Sequence, residues 1–340
     1  RKDFAGRPWD WGRVGEFVGM RFARVYPVHL AMLLLFFAAI AFKTQVMNQP
    51  LDDPRNYQLW TIPYSLLMVH SWGFLDVAPW NTPSWSISAE WFAYLLFPVA
   101  TIACFAKLKR PAAIAATVVA LLGAMHLASM ALGMNPTKWA ILHGLGLLRI
   151  AIEFTIGALA FTVFDQWKRR EQAECPADTP APSKPWGWLA LGATGVLAAL
   201  CYTQVSDAVL VGVEAILLLL LAMGSAGIRA VLGNPAMVYL GEISYSVYMV
   251  HYLLLGFAKG PMNALLQKVP FLAANGWIVA LGFLVPTCLF AAAMRDGVEM
   301  PARQWLRRYI ARPKAQAPIP TEQAPAAEPT LAEPSMAGAR

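Results

Sequence analysis

Charge is scarce in this sequence. Asp, Glu, Lys and Arg together make up 14% of its 340 residues, against about 25% in an average soluble domain, which argues against a soluble enzyme. Cysteine is scarce too. Cys104, Cys175, Cys201 and Cys288 are scattered without metal-ligand spacing, so they read as apolar packing residues and one loop thiol rather than a disulfide framework. The chain has no Gly-rich phosphate loop, no zinc motif and no Gly-x-Ser-x-Gly elbow, and the nucleotide-cradling, zinc and α/β-hydrolase chemistries that those patterns serve have no foothold here. No repeat of solenoid period is visible. The first residue is Arg and no signal-peptide pattern precedes the first apolar run, so the chain reads as a fragment.

What remains is apolar. Hydrophobic residues make up 58% of the chain and the mean hydropathy is +0.48. Several runs reach the roughly 17–25 residues that cross a bilayer. Lipid offers backbone groups no partners, so such runs have to be helices, and the expected fold is all-α, a polytopic transmembrane bundle. Eight spans are expected, at about 26–42, 85–106, 112–134, 140–164, 187–204, 208–229, 237–258 and 275–295. Alternate connections then collect the basic residues: Arg21 and Arg24; Lys107, Lys109 and Arg110; Lys168, Arg169, Arg170 and Lys184; Arg229; Arg295, Arg303, Arg307 and Arg308. That bias makes these connections cytoplasmic. It also accounts for the net charge of +7 without nucleic-acid binding. The expected location is a bacterial inner membrane, multi-pass, with a cytoplasmic C-terminus. Residues 1–310 form the membrane domain, and 311–340, rich in Pro and Ala, form a disordered tail. The long external connection 43–84 holds an apolar patch, Trp60 to Trp72, too short to span and better suited to a re-entrant or interfacial segment.

In such a chain the polar exceptions carry the chemistry. Trp85-Ser86-Ile87-Ser88-Ala89-Glu90-Trp91 places a carboxylate and two hydroxyls at the mouth of an apolar run. Ser86, Glu90 and Tyr94 share a face at four-residue spacing, which suits either a polar pocket or a capped helix start with a paired acid. Arg21 and Arg24, three apart before Val25-Tyr26-Pro27, fit a two-guanidinium phosphate clamp or a positive-inside anchor. Arg149 and Glu153 are four apart; they neutralise each other in low dielectric or shape a substrate cavity. Asp207 and Glu214 have no evident partner. Ser244, Tyr248 and His251 form a further one-face stripe, beside Tyr245, that suits an interior lining or an interfacial belt. His29 and His70 are candidate bases; His126 and His143 have no useful neighbours.

In this order, these blocks resemble the integral-membrane acyltransferase-3 family. Arg21-Phe22-Ala23-Arg24-Val25-Tyr26-Pro27 resembles its Arg-x-x-Arg segment. Asn81-Thr82-Pro83-Ser84-Trp85-Ser86-Ile87-Ser88-Ala89-Glu90-Trp91-Phe92, followed by Pro98, resembles its Trp-Ser-Leu-Ser-x-Glu block. Arg149, Glu153-Phe154 and Gly157 resemble its Arg…Glu-Phe…Gly helix. Leu240-Gly241-Glu242-Ile243-Ser244-Tyr245-Ser246-Val247-Tyr248-Met249-Val250-His251 resembles its Ser-Tyr-Ser block, and Glu299-Met300-Pro301-Ala302-Arg303 its terminal Glu-x-Pro segment.

The resemblance implies O-acyl transfer, usually of acetyl from acetyl-CoA, onto a hydroxyl of a carbohydrate or glycolipid acceptor such as an exopolysaccharide or lipopolysaccharide unit. No bound cofactor or metal is expected. It implies ten helices rather than eight, and its first helix carries an Arg-x(10)-His pattern that nothing before Arg21 matches. The general-base histidine is therefore expected upstream of residue 1, with the first two helices. In that scheme Arg21 and Arg24 bind the donor and Glu90 is catalytic, orienting the histidine. Trp85, Ser86, Ser88, Arg149, Glu153, Ser244, Tyr245, Tyr248 and His251 line the acceptor pocket. The rival readings are an exporter of a glycan intermediate, which would move substrate without an acyl donor, and an inactive remnant lacking the histidine helix.

Overall fold

The computed structural model describes residues 9–51, 53–101, 108, 110–131, 145–174, 186–203, 205–224 and 226–310. Cys104, Cys175, His143, Lys107, Lys109, Lys138, Lys184 and the expected tail lie outside them. Among the described residues the architecture is all-α. Its helices are α1 (Trp11–Ala41), α2 (Ile62–Leu66), α3 (Trp85–Ala100), α4 (Pro111–Ala131), α5 (Leu145–Glu174), α6 (Trp186–Tyr202), α7 (Asp207–Ala222), α8 (Ala226–Leu232), α9 (Pro235–Lys268), α10 (Pro270–Ala274), α11 (Gly276–Met294) and α12 (Met300–Ile310).

A helix occupies each of the eight expected places, but among the described residues four stretches are both long and apolar enough to cross a membrane: Trp11–Val46, Pro111–Ala131, Gly146–Ala173 and Gly276–Ile310. Only 17–33% of their apolar windows is buried inside the protein. The rest points outward, as it must where the surrounding solvent is lipid. The protein is thus a largely membrane-embedded helical bundle.

Helix ends depart from the hydropathy pattern for local reasons. The carboxylate of Asp10 accepts from the backbone N–H of Gly12 at 2.9 Å and of Arg13 at 3.4 Å, an N-cap that starts α1 well before the expected residue 26. A π turn over Phe42–Val46 prolongs the same rod. At 1.5 Å per residue its 36 residues extend about 54 Å, far beyond a hydrocarbon core of about 30 Å. Arg21 and Arg24 therefore sit along the helix rather than before it. The break between α7 and α8 falls at Gly224, where a Cβ would lie 2.8 Å from the Leu221 carbonyl oxygen; only glycine permits that approach. Asn234 caps α9 through the N–H of Ala236 at 2.8 Å, and Pro235 takes the first helical position, where its missing N–H costs nothing.

Among the described residues two larger packing groups share the bundle with a smaller one of Ile114 and Leu159. Val28, Met32, Phe36, Ile87, Tyr94, Met249, Val250, Ala291 and Met294 join α1, α3, α9 and α11. Met125, Ile152, Ile156, Ala208 and Val211 join α4, α5 and α7. The groups meet where Phe154 of α5 stands edge-on to Tyr94 and Phe97 of α3, with ring centroids 6.2 and 5.3 Å apart. Connection 43–84 is folded onto the first group as short helical turns. Trp72 Nε1 donates to the Ser88 carbonyl at 3.0 Å, Trp80 Nε1 to Thr61 Oγ1 at 3.1 Å, and Asn81 Nδ2 to the Met249 carbonyl at 3.1 Å.

Helix α12 runs along α1, where Ile310 covers Gly19 so closely that a Cβ there would come within 2.9 Å of it. Gly19→Leu is expected to lift α12, lowering stability by about 1–3 kcal/mol and speeding proteolysis within residues 300–310. At Gly15 a Cβ meets nothing within 4 Å, so Gly15→Leu should leave both thermal unfolding and cutting unchanged.

Candidate active site

Glu90 does not stand alone. One turn further along α3, the Tyr94 hydroxyl donates to its carboxylate. The opposite side of the Tyr94 ring carries the Arg21 guanidinium, 5.3 Å from the centroid, and the same guanidinium lies 5.2 Å from the Phe17 ring. Such stacking holds a weakly hydrated cation against aromatic faces in a low dielectric. Arg21 is half-buried against these two rings, which stand nearly perpendicular to each other, whereas Arg24 is exposed. The Tyr245 hydroxyl donates to the Val25 carbonyl at 2.6 Å and lies in the electrostatic field of Glu90, Glu299, Tyr94 and Arg24. Three segments far apart in sequence thus converge on one polar centre.

Sequence reasoning left two members of this centre without a role. Ser246, fully buried, donates to Glu299 at 3.2 Å, and Glu299 is only 5% exposed. Arg24, Arg295 and Arg303 compensate its charge. Glu299 closes a π turn over Arg295–Glu299. Pro301 follows, and its missing N–H and its ring, which clashes with the Gly297 carbonyl, disfavour a regular α turn there. The usable signal was the spacing of Ser244 and Ser246: one faces outward and the other in.

Ser86 and Tyr248 meet at a different place. Both hydroxyls donate to the Pro83 carbonyl, at 3.1 and 2.9 Å. His251 Nδ1 lies 2.6 Å from the Tyr248 carbonyl. A carbonyl only accepts, so Nδ1 carries the proton and Nε2 is left as the basic nitrogen. Ser244 turns away from this group; its hydroxyl donates back to the Gly241 carbonyl at 2.8 Å, on an exposed face. Ser88 has 0% exposure. Its hydroxyl donates to the Met68 carbonyl at 2.8 Å and accepts from the Ser71 N–H at 3.1 Å, so it pins connection 43–84 to α3. Trp85 lies beside it, its carbonyl accepting from Ser71 Oγ at 2.9 Å and its ring against Gly146.

The pair Arg149–Glu153 is present at 2.7 Å, and the same guanidinium reaches Asp207 at 3.1 Å. Asp207, without an evident partner in sequence, finds one across the bundle, and Glu214 joins the same electrostatic group. This second polar centre is built on α5 and α7, apart from the Glu90 centre on α1, α3 and α9.

His70 and Ser84 are 3.0 Å apart, and the His29 ring stacks parallel to His70 with centroids 5.8 Å apart. A serine at that distance from an imidazole suggests a nucleophile and its base. The surroundings argue otherwise. Both residues are buried, Nδ1 of His70 looks toward the Tyr64 backbone without completing a hydrogen bond, and no carboxylate orients the ring. Burial, with the neighbouring His29 second, pushes the His70 imidazole down to about 3. A ring held neutral so firmly is a weak base at neutral pH. Among the described residues no cluster of His, Cys, Asp and Glu could hold a metal ion.

A long apolar bundle with guanidiniums, a carboxylate and tyrosines gathered inside it is a membrane-enzyme arrangement, and comparison with known proteins specifies which. The family model described as "Acyltransferase domain", that of acyltransferase-3, matches residues 4–296; the chain belongs to this family. It is 27% identical to acyltransferase MdmB of Streptomyces mycarofaciens over 345 aligned positions, covering 93% of this chain and 81% of that protein. No solved structure matches it. The protein is a membrane-embedded acyltransferase of an acyl-CoA-using family.

Two outcomes follow from this geometry. Ser88→Ala removes two buried hydrogen bonds and should cost about 1–3 kcal/mol, with faster proteolysis between residues 50 and 80, read by thermal unfolding and limited digestion. The folded pKa of His70 lies below its unfolded value of 6.5. The unfolded chain therefore binds the extra proton, and the stability contribution, complete above pH 6.5, is lost as pH falls toward 3. Between pH 7 and 5 this loss should be about 2 kcal/mol, and the pH slope should flatten in His70→Gln.

Proposed function

We propose that the protein moves an acyl group, acetyl in the simplest case, from acyl-CoA to a hydroxyl of a carbohydrate such as an exopolysaccharide or lipopolysaccharide unit, in a bacterial inner membrane. The observation that carries this reading is the shared tyrosine: Tyr94 has Glu90 on its hydroxyl and Arg21 on its ring, inside a chain of the acyltransferase-3 family.

Each group has work suited to its position. Arg24, exposed and next to the polar centre, meets CoA phosphates, where a guanidinium is a strong and geometrically specific donor. Arg21, gripped between Phe17 and Tyr94, sets the field in which the thioester is held. The Glu90 carboxylate, oriented by Tyr94, stabilises the cationic form of the base that accepts the acceptor's proton, as a carboxylate does for an imidazole in a triad. The acceptor hydroxyl attacks the thioester carbonyl, the C–S bond breaks, and the proton returns to the CoA thiolate. Ser86, Tyr248 and the free Nε2 of His251 offer hydrogen bonds to a hydroxyl-rich acceptor on the side of connection 43–84. The basic connections put the Arg24 side toward the cytoplasm, where acyl-CoA is found, and the C-terminus with it.

Glu90→Gln keeps the size and the Tyr94 hydrogen bond but removes the charge. Transfer of label from acetyl-CoA should fall on the order of 10²-fold at unchanged expression. Arg24→Ala should raise the KM for acyl-CoA about tenfold with little change in kcat. Normal donor kinetics in Arg24→Ala would sink the phosphate assignment. Export of glycan by a protein that transfers no label would replace the enzyme reading with a transporter.

A further inference from the structure

We infer that the groove between α5 and α7 is a binding site for a membrane amphiphile with an uncharged, hydroxyl-bearing head. The groove encloses about 410 Å³, and Ile156, Gly157, Phe161, Ala215 and Leu218 are among its walls. That volume falls in the usual range for small-ligand sites, about 300–1,000 Å³. Its polar residues are Glu153 and Glu214.

The two helices run side by side in the same direction. Arg149 and Asp207, near their starts, are bonded to each other, and Glu153 and Glu214 follow one to two turns later. From there the groove continues past Phe161 and Leu218 to Phe164 and Ala222. Eleven residues separate Glu153 from Phe164, about 16 Å of helix. A slot that is acidic at one end and apolar for the rest matches a ligand with one polar head and one apolar tail, lying along the helices.

The charges choose the head. Arg149 is bridged to Glu153 and Asp207. Glu214, exposed in the middle of an otherwise apolar helix, has Glu153 and Asp207 acting on it as like charges and Arg149 alone opposing them. Among the described residues, one guanidinium stands with three carboxylates at this end, which disfavours a phosphate and welcomes hydroxyl donors. An exposed carboxylate on a lipid-facing helix is also costly, and a hydroxyl-rich head relieves that cost. The floor is shaped to admit a tail: a Cβ at Gly157 meets nothing within 4 Å, so the groove extends down to the α5 backbone. Phe154, about 100° round the helix from Glu153, touches Tyr94 and Phe97. Helix α5 therefore lines the groove with one side and meets α3 beside the Glu90 centre with another. Resting on the hydroxyl-acyltransfer reading, the groove is a holding site in which a membrane-borne acceptor waits before its hydroxyl reaches the side of Ser86, Tyr248 and His251.

Binding is tested without the reaction. The full chain in phosphatidylcholine nanodiscs is irradiated with an alkyl glucoside carrying a diazirine in its tail, and in parallel with a lysophosphatidylglycerol of the same tail. The glucoside should label peptides covering residues 156–164 and 211–222, and unlabelled alkyl glucoside should suppress that labelling. Gly157→Leu, which fills open space, should reduce labelling about fivefold or more, and Glu214→Leu should reduce it as well. Gly157→Ala should retain most of it. Gly282→Leu, at another open glycine, should leave it unchanged and serve as the folding control. Equal labelling by the anionic probe, or undiminished labelling in Gly157→Leu, would overturn the inference. No acyl-CoA is present, so loss of transferase activity in a separate assay would count against the proposed function and not against the groove.

Discussion

The hydrogen bond from Tyr94 to Glu90 is the contact around which the first packing group is arranged. A carboxylate inside a bundle persists only with compensation, and here the compensation is layered. The hydroxyl binds the carboxylate, and the ring that carries the hydroxyl binds the Arg21 guanidinium through its face. Helix α1 has to bring Arg21 to that ring, so its helical start lies far upstream of its apolar run. Helix α9 then closes the third side, with Tyr245 bonded to the α1 backbone at Val25. The same requirement recurs at Ser246 and Glu299 and again at Arg149, Glu153 and Asp207. Each acid has a hydroxyl or a guanidinium within reach, and each such contact joins two helices or two turns of one.

The sequence exposed the class of this fold because lipid imposes one rule, apolar runs as helices, and that rule is written in composition. It exposed the i,i+4 pairs Glu90–Tyr94 and Arg149–Glu153 because a single helix sets their distance. It could not expose Arg149–Asp207, Ser246–Glu299 or Tyr245–Val25, since each depends on how two helices lie against each other. Helix ends were misjudged for a related reason. Hydropathy reports which stretch meets lipid, whereas Asp10 and Asn234 set helix starts through capping bonds that hydropathy ignores. The outward turn of Ser244 and the inward turn of Ser246 are the sharpest case, because a difference of two residues on one helix reverses their surroundings.

Connection 43–84 shows how a segment too short to span becomes part of the bundle. Its tryptophans carry apolar rings and one donor each. Trp72 and Trp80 place those rings against the bundle and satisfy both indole N–H groups, on the Ser88 carbonyl and the Thr61 hydroxyl. His29 and His70 stack beneath, and burial rather than a partner charge keeps His70 neutral. The contrast with Glu90 is informative. A buried imidazole avoids the cost of ionisation by giving up its proton, and with it most of its strength as a base. The Glu90 carboxylate has instead a tyrosine hydroxyl on it and a guanidinium against that tyrosine's ring. In the proposed reading the histidine pair belongs to the scaffold and the reactive electrostatics to Glu90 and the arginines.

The separation of the two polar centres by α5 bears on how a membrane enzyme keeps two substrates apart. Acyl-CoA is a large anion, and among the described residues the clustered cations near the Glu90 centre are on its Arg24 side. Among the same residues the Arg149 centre has more acids than bases and opens onto a groove whose remaining walls are apolar, an environment that in the proposed reading disfavours CoA. In the proposed reading the donor and a membrane-borne acceptor therefore approach from different faces of one helix. The residues that divide them are the aromatic contacts of Phe154 with Tyr94 and Phe97. In that reading a dry boundary matters, because a thioester exposed to water beside an activating carboxylate would be hydrolysed rather than transferred. A wall of aromatic side chains can open by rotamer changes at little backbone cost, which makes Phe154 the natural point at which the two halves of the site communicate.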